Sequence, residues 1–77
     1  MEILLVDDDP DIADIVSYSL RRDGHQVLVA LDGRQALEIV ARSEPDLILL
    51  DVMLPYISGF EVCRRIRQRS RVPIILL

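Results

Sequence analysis

The chain has 77 residues, 51% of them apolar and 29% charged, with a formal net charge of -4 and one cysteine. A chain this short buries only about 60% of its unfolded surface, so it supports one small domain with a marginal core. The acidic balance excludes an overall basic nucleic-acid binder, the lone Cys63 excludes an internal disulfide or a cysteine-pair zinc site, and no apolar run nears the ~20 residues of a membrane span.

Ile3 to Val6 is a compact apolar run and reads as a buried strand. Ile12, Ile15, Val16, Ser19 and Leu20 then recur at the spacing of one helix face, with Asp9 placed to cap that helix and Pro10 at its first position. Gly24 supplies a left-handed stop before a second strand, Val27 to Ala30. Asp32 and Gly33 mark the next turn, and Ala36, Leu37, Val40 and Ala41 form a second helical stripe that ends at Glu44 and Pro45. A third strand, Leu47 to Leu50, is continuously apolar and is expected to be covered on both faces. Ser58 and Glu61 have the spacing of a capping box, opening a helix whose inward face is Phe60, Val62, Cys63 and Ile66. Val72 to Leu77 begins a fourth strand. This alternation predicts an α/β fold: a doubly wound parallel sheet with helices on both faces, joined by right-handed crossovers, without linker or low-complexity segment.

The chemistry sits at strand ends. Asp7 and Asp8 close the first strand and Asp51 the third, so in a parallel sheet they share the carboxyl edge. If those strands are neighbours, ~4.8 Å apart, the three carboxylates converge. Three adjacent carboxylates repel one another, and a cation between them removes that repulsion. Oxygen donors suit a hard ion, Mg²⁺ rather than a caged Ca²⁺, because a few carboxylates, a backbone carbonyl and retained waters complete its octahedron. Asp9 and Asp11 are read differently, as acids favoured by the start of a helix. In "LLDVMLPYISG" the Asp51 carboxylate stands at the lip of a buried strand, where a metal and a phosphoryl group can meet it; an aspartate there can act as a nucleophile and become an acyl phosphate. Pro55 and Gly59 fix the loop that carries Met53, whose backbone carbonyl is a further candidate ligand.

Other phosphate and metal chemistries fit less well. A dehalogenase-type phosphatase wants a second acid two residues after Asp51, where Met53 stands. A calcium loop beginning at Asp7 wants Gly at its sixth place and Glu at its twelfth, which Ile12 and Tyr18 occupy. No glycine-rich phosphate loop is present.

"ILLVDDDP", "PDLILLDVMLPYISGFEVCRRIR" and "VPIILL" resemble the receiver domain of two-component response regulators, over the whole chain. The resemblance implies a CheY-like sheet of family order 2-1-3-4-5. This chain would carry 2-1-3-4, so residues 1–77 are expected to be the N-terminal portion of a receiver, without its last helix, strand and helix. It further implies Asp51 as phosphoacceptor, Asp7 and Asp8 as the acidic pair that holds Mg²⁺ together with Asp51, the Met53 carbonyl as another ligand, and a sensor histidine kinase as donor. Such a domain is a phosphoacceptor rather than an enzyme. "DVMLP" resembles regulators with a winged-helix DNA-binding output, although this segment itself is expected to touch neither nucleic acid nor membrane. The family pattern also calls for a small hydroxyl residue after the fourth strand and a lysine ending the fifth. Neither occurs up to Leu77, and the sequence contains no lysine, so phosphorylation is expected to be slowed. An uncovered fourth strand and sheet face predict self-association as a homodimer. The rival reading is a non-catalytic assembly module with an idle acidic pocket.

The remaining residues read blandly. Arg64, Arg65, Arg67, Arg69 and Arg71 form a solvated helix face and connector, Cys63 is half-buried, His25 is a solvent-exposed turn residue, and Tyr18 and Tyr56 lie on a helix surface and a loop tip. The N-terminus lacks the basic region and long apolar core of a secretory signal, so a cytoplasmic location is expected.

Overall fold

Parallel pairing of short apolar runs requires a crossover between each pair, and the chain supplies one helix for each. The structure is a computed structural model describing residues 1–77, with elements β1 (Glu2–Val6), α1 (Pro10–Arg22), β2 (Gln26–Ala30), α2 (Gly33–Arg42), β3 (Leu47–Leu50), α3 (Gly59–Arg67) and β4 (Ile74–Leu76). The strands form one parallel sheet of order β2-β1-β3-β4, the order expected. β1 is therefore central, and four of its five residues are buried.

Successive strand residues face opposite sides, which divides the core in two. Leu4, Val6, Ile48 and Leu50 pack with Ala36 of α2 and with Val62 and Ile66 of α3 on one face. Leu5 and Val27 pack with Ala13 of α1 on the other, where Val16, Leu20 and Leu49 close around them. Each helix begins on a side-chain cap: Asp9 Oδ1 accepts the Asp11 and Ile12 N–H groups, Asp32 Oδ1 accepts that of Gln35, and Ser58 Oγ accepts that of Glu61. Gly24, at φ +92°, makes the left-handed stop after α1.

The structure corrects several inward faces. In α1 the inward set is Ala13, Val16, Ser17 and Leu20, while Ser19, Ile12 and Ile15 face outward, Ile15 at 70% exposure. Both sets have helical spacing. The small Ala13 and Ser17 let the helix approach the sheet closely, and the buried Ser17 hydroxyl is satisfied by donating to the Asp14 carbonyl at 3.2 Å. In α2, Ala41 is exposed and Ile39 joins Leu37 and Val40 against the core. In α3 the inward spacing is Gly59, Val62, Cys63 and Ile66; Phe60 lies one residue off that stripe and is 63% exposed.

β3 is fully covered only on the α2/α3 face, where Ile48 and Leu50 lie, whereas Leu47 and Leu49 are half-buried. β4 spans three residues rather than six. The Val72 N–H turns aside to Ser70 Oγ, and Pro73 has no N–H, so pairing at its start rests on the Pro73 carbonyl accepting the Ile48 N–H at 2.9 Å. His25 is half-buried rather than exposed, its Nδ1 lying 3.4 Å from the Met1 amine. No helix is long and apolar enough to cross a membrane.

Candidate functional site

The β1–β3 register pairs Val6 with Leu50, so the next residues, Asp7 and Asp51, leave the carboxyl edge side by side. Their backbones remain tied to the sheet: the Asp51 N–H donates to the Val6 carbonyl at 3.0 Å and the Asp7 N–H to the Ala30 carbonyl at 3.1 Å. Asp7 is 8% exposed, Asp51 half-buried and Asp8 exposed. One carboxylate oxygen from each of Asp7, Asp8 and Asp51 lies within 4.8 Å of the other two.

Two of these side chains are oriented by their own loops. Asp7 Oδ1 accepts the Asp9 N–H and Asp51 Oδ1 accepts the Met53 N–H, both at 2.9 Å. Such turns, closed by an aspartate on the amide two residues ahead, hold one carboxylate oxygen and leave the other to an incoming group. No arginine pairs with the three acids; the ion pairs join Arg34 to Glu38 and Arg64 and Arg65 to Glu61. The cluster is thus all oxygen and uncompensated by any protein cation, a donor set that fits Mg²⁺. Asp9 is committed to capping α1, as its place in the sequence predicts. The Met53 side chain is exposed, and its N–H bond to Asp51 holds its backbone against the acidic cluster.

A scan against family models matches residues 3–77 to the response regulator receiver domain. The chain belongs to that family. Among solved structures, the receiver is similar to the receiver domain of a Francisella response regulator, with 32% identity, 97% of this chain and 63% of that one covered, and a TM-score of 0.93. It is similar to the BeF3-activated receiver domain of Klebsiella pneumoniae RstA, with 38% identity, 99% and 65% covered, and a TM-score of 0.93. It is also similar to Thermotoga maritima TrrA in complex with Mg²⁺-BeF, with 37% identity, 97% and 66% covered, and a TM-score of 0.92. The chain therefore spans 63–66% of the length of these receivers.

The arginine run lies outside the site of this receiver. Arg64 and Arg65 both hydrogen-bond to Glu61 and, Arg64 foremost, bring its carboxyl down to about 2, while Arg67 donates to the Ser70 and Val72 carbonyls and so shapes the connector into β4. Glu61 is thereby drawn away from the Ser58 N–H, and only the Ser58 half of the expected capping box forms. A concavity of about 500 Å³ is also elsewhere: Leu37, Val40, Glu44, Pro45, Ile66 and Arg69 line it between the C-terminal ends of α2 and α3.

Two features of the Asp51 loop were not read from the sequence. Tyr56 adopts φ +68°, and a Cβ on Gly59 would overlap the Asp51 carbonyl oxygen. For Gly59 a signal existed, since glycine is a poor helix former and its place directly after the capping Ser58 calls for a local reason.

Proposed function

We propose that this receiver takes a phosphoryl group onto Asp51 from the phosphohistidine of a sensor kinase, with Mg²⁺ held by Asp7, Asp8, Asp51 and the Met53 backbone carbonyl. The observation that carries this reading is the convergence of the three carboxylates within 4.8 Å at the carboxyl edge of the sheet. In the step, an Asp51 carboxylate oxygen bonds to phosphorus as the phosphorus–nitrogen bond breaks, giving an acyl phosphate and a free imidazole. With Oδ1 held by the Met53 N–H, Oδ2 is the oxygen offered. Bound Mg²⁺ would offset the negative charge gathered on the carboxylates and the transferring oxygens. The chain is then an acceptor rather than an enzyme. The neighbours solved with Mg²⁺-BeF and in a BeF3-activated state support an ion-assisted site of this kind.

Residues 1–77 would be the N-terminal portion of the receiver of a cytoplasmic regulator with a DNA-binding output. A second copy of the chain would cover the β4 edge, where Ile75, Leu76 and Leu77 are exposed. The test of the acceptor chemistry is intact-protein mass after incubation with acetyl phosphate and Mg²⁺. The wild type should gain one phosphoryl group and Asp51→Asn none; no gain in the wild type would overturn the reading and leave the assembly module with an idle pocket.

A further inference from the structure

The first turn of α3 lies directly on the peptide that follows the phosphoacceptor. The Gly59 N–H donates to the Val52 carbonyl at 2.8 Å, and a Cβ at Gly59 would overlap the Asp51 carbonyl oxygen and lie 2.7 Å from the Val52 Cα. All of these are backbone atoms, so no side-chain rotation relieves the overlap. One of the two segments has to move.

The burial pattern indicates which. α3 is anchored by Val62 and Ile66, at 0% and 2% exposure, whereas Asp51 and Val52 lie just beyond the last paired residue of β3, half-buried and each held to the sheet by one backbone N–H, Asp51 to the Val6 carbonyl at 3.0 Å and Val52 to the Leu77 carbonyl at 3.3 Å. The softer strand end yields, and the loop that holds Asp51 Oδ1 through the Met53 N–H moves with it. We propose that Gly59 is a positioning residue for Asp51: the absence of a side chain at the start of α3 sets where the acceptor carboxylate stands relative to Asp7 and Asp8. The proposal rests on the phosphoacceptor reading above and adds to it a residue that touches neither donor nor ion.

A second glycine provides the control. Gly33 is also buried, but a Cβ there would crowd only the Val62 side chain, at 2.6 Å from its Cγ2; its next neighbours, Ile57 Cβ and carbonyl oxygen, lie at ordinary contact distances of 3.4 and 3.6 Å, and Asp51 is not among the three nearest atoms. Gly33→Ala therefore strains the core without displacing the acceptor, whereas Gly59→Ala displaces the acceptor. Both variants and the wild type would be compared at a temperature where denaturation curves show them folded. Two readouts are taken: the rate of mass gain from acetyl phosphate with Mg²⁺, and Mg²⁺ alone titrated against the amide NMR signals of Asp51, Val52 and Met53.

Since misplacing a reacting group by about an ångström costs up to ~100-fold, Gly59→Ala should accept phosphoryl at least about tenfold more slowly and need several-fold more Mg²⁺. Gly33→Ala should match the wild type in both, whatever stability it has lost. Equal rates and equal Mg²⁺ midpoints in the two variants would overturn the proposal, as would Gly59→Ala failing to fold, since either makes Gly59 a structural residue only. If the wild type accepts no phosphoryl group, the phosphoacceptor reading falls, and the Mg²⁺ midpoints still decide whether Gly59 positions Asp51. A wild type that neither binds Mg²⁺ nor takes up phosphoryl overturns both.

Discussion

Tyr56 is held at φ +68° and is 98% exposed, so the strain of a left-handed backbone is not offset by packing of the side chain. For a residue with a Cβ that conformation costs roughly 1–2 kcal/mol. Glycine adopts it freely but loses more backbone entropy on folding, about 0.5–1 kcal/mol. The strain term is the larger, so Tyr56→Gly should stabilise the chain by about 0.5–1 kcal/mol, read as a rise in the urea midpoint at unchanged slope. A fall in the midpoint would show that the ring contributes contacts that its exposure does not suggest.

Among the elements, α3 carries the most charge-dependent structure. Hydrogen bonds from Arg64 and then Arg65 bring Glu61 from 4.5 down to about 2. A carboxyl depressed in the folded state contributes stability above its unfolded value, and that contribution is lost as pH falls through the folded value. The Glu61→Gln variant should therefore melt slightly below the wild type at pH 7, with the gap closing between about pH 4.5 and pH 2. Added salt should narrow the gap too, because all three side chains are in contact with solvent. A gap that persists at pH 2 would mean that Glu61 acts through packing rather than charge. This pairing also shows where sequence reading ended. The order of elements, the caps at Asp9 and Ser58 and the meeting of Asp7, Asp8 and Asp51 were legible, because each follows from local spacing or from the polarity of a parallel strand, whereas Asp32 read only as a turn residue and proves to cap α2. The outward turn of Ile12, Ile15 and Phe60 was not legible. Two stripes of helical spacing coexist on α1, and only contact with the sheet selects the one with small residues. Likewise Glu61 has two partners in reach, the Ser58 N–H and the arginines, and spacing alone does not rank them.

For the whole molecule the question is what a second copy would find. The accessible surface of 5018 Å² is close to the ~4,800 Å² expected of a folded monomer of this mass, and the radius of gyration of 11.3 Å matches the ~11.5 Å expected for this length. The chain is not short of compactness, so any drive to associate comes from which groups are exposed rather than from how much surface is. Among those groups are Ile75 and Leu76 on the edge strand β4, on opposite faces of the sheet, with Leu77 beyond them, and Ile12 and Ile15 on α1. A stable interface needs roughly 800 Å² from each partner, about a sixth of this surface, and a three-residue edge strand supplies only part of that. Dimerisation should accordingly be weak, appearing in sedimentation velocity as a concentration-dependent rise from monomer toward dimer. Placing a charge on the free edge with Ile75→Lys should return the chain to monomer at every concentration, as edge lysines do when they block strand pairing. If Ile75→Lys leaves the association unchanged, the contact does not run through β4 and the α1 face becomes the surface to mutate. If the wild type stays monomeric at millimolar concentration, the exposed apolar groups do not suffice for pairing and self-association is excluded.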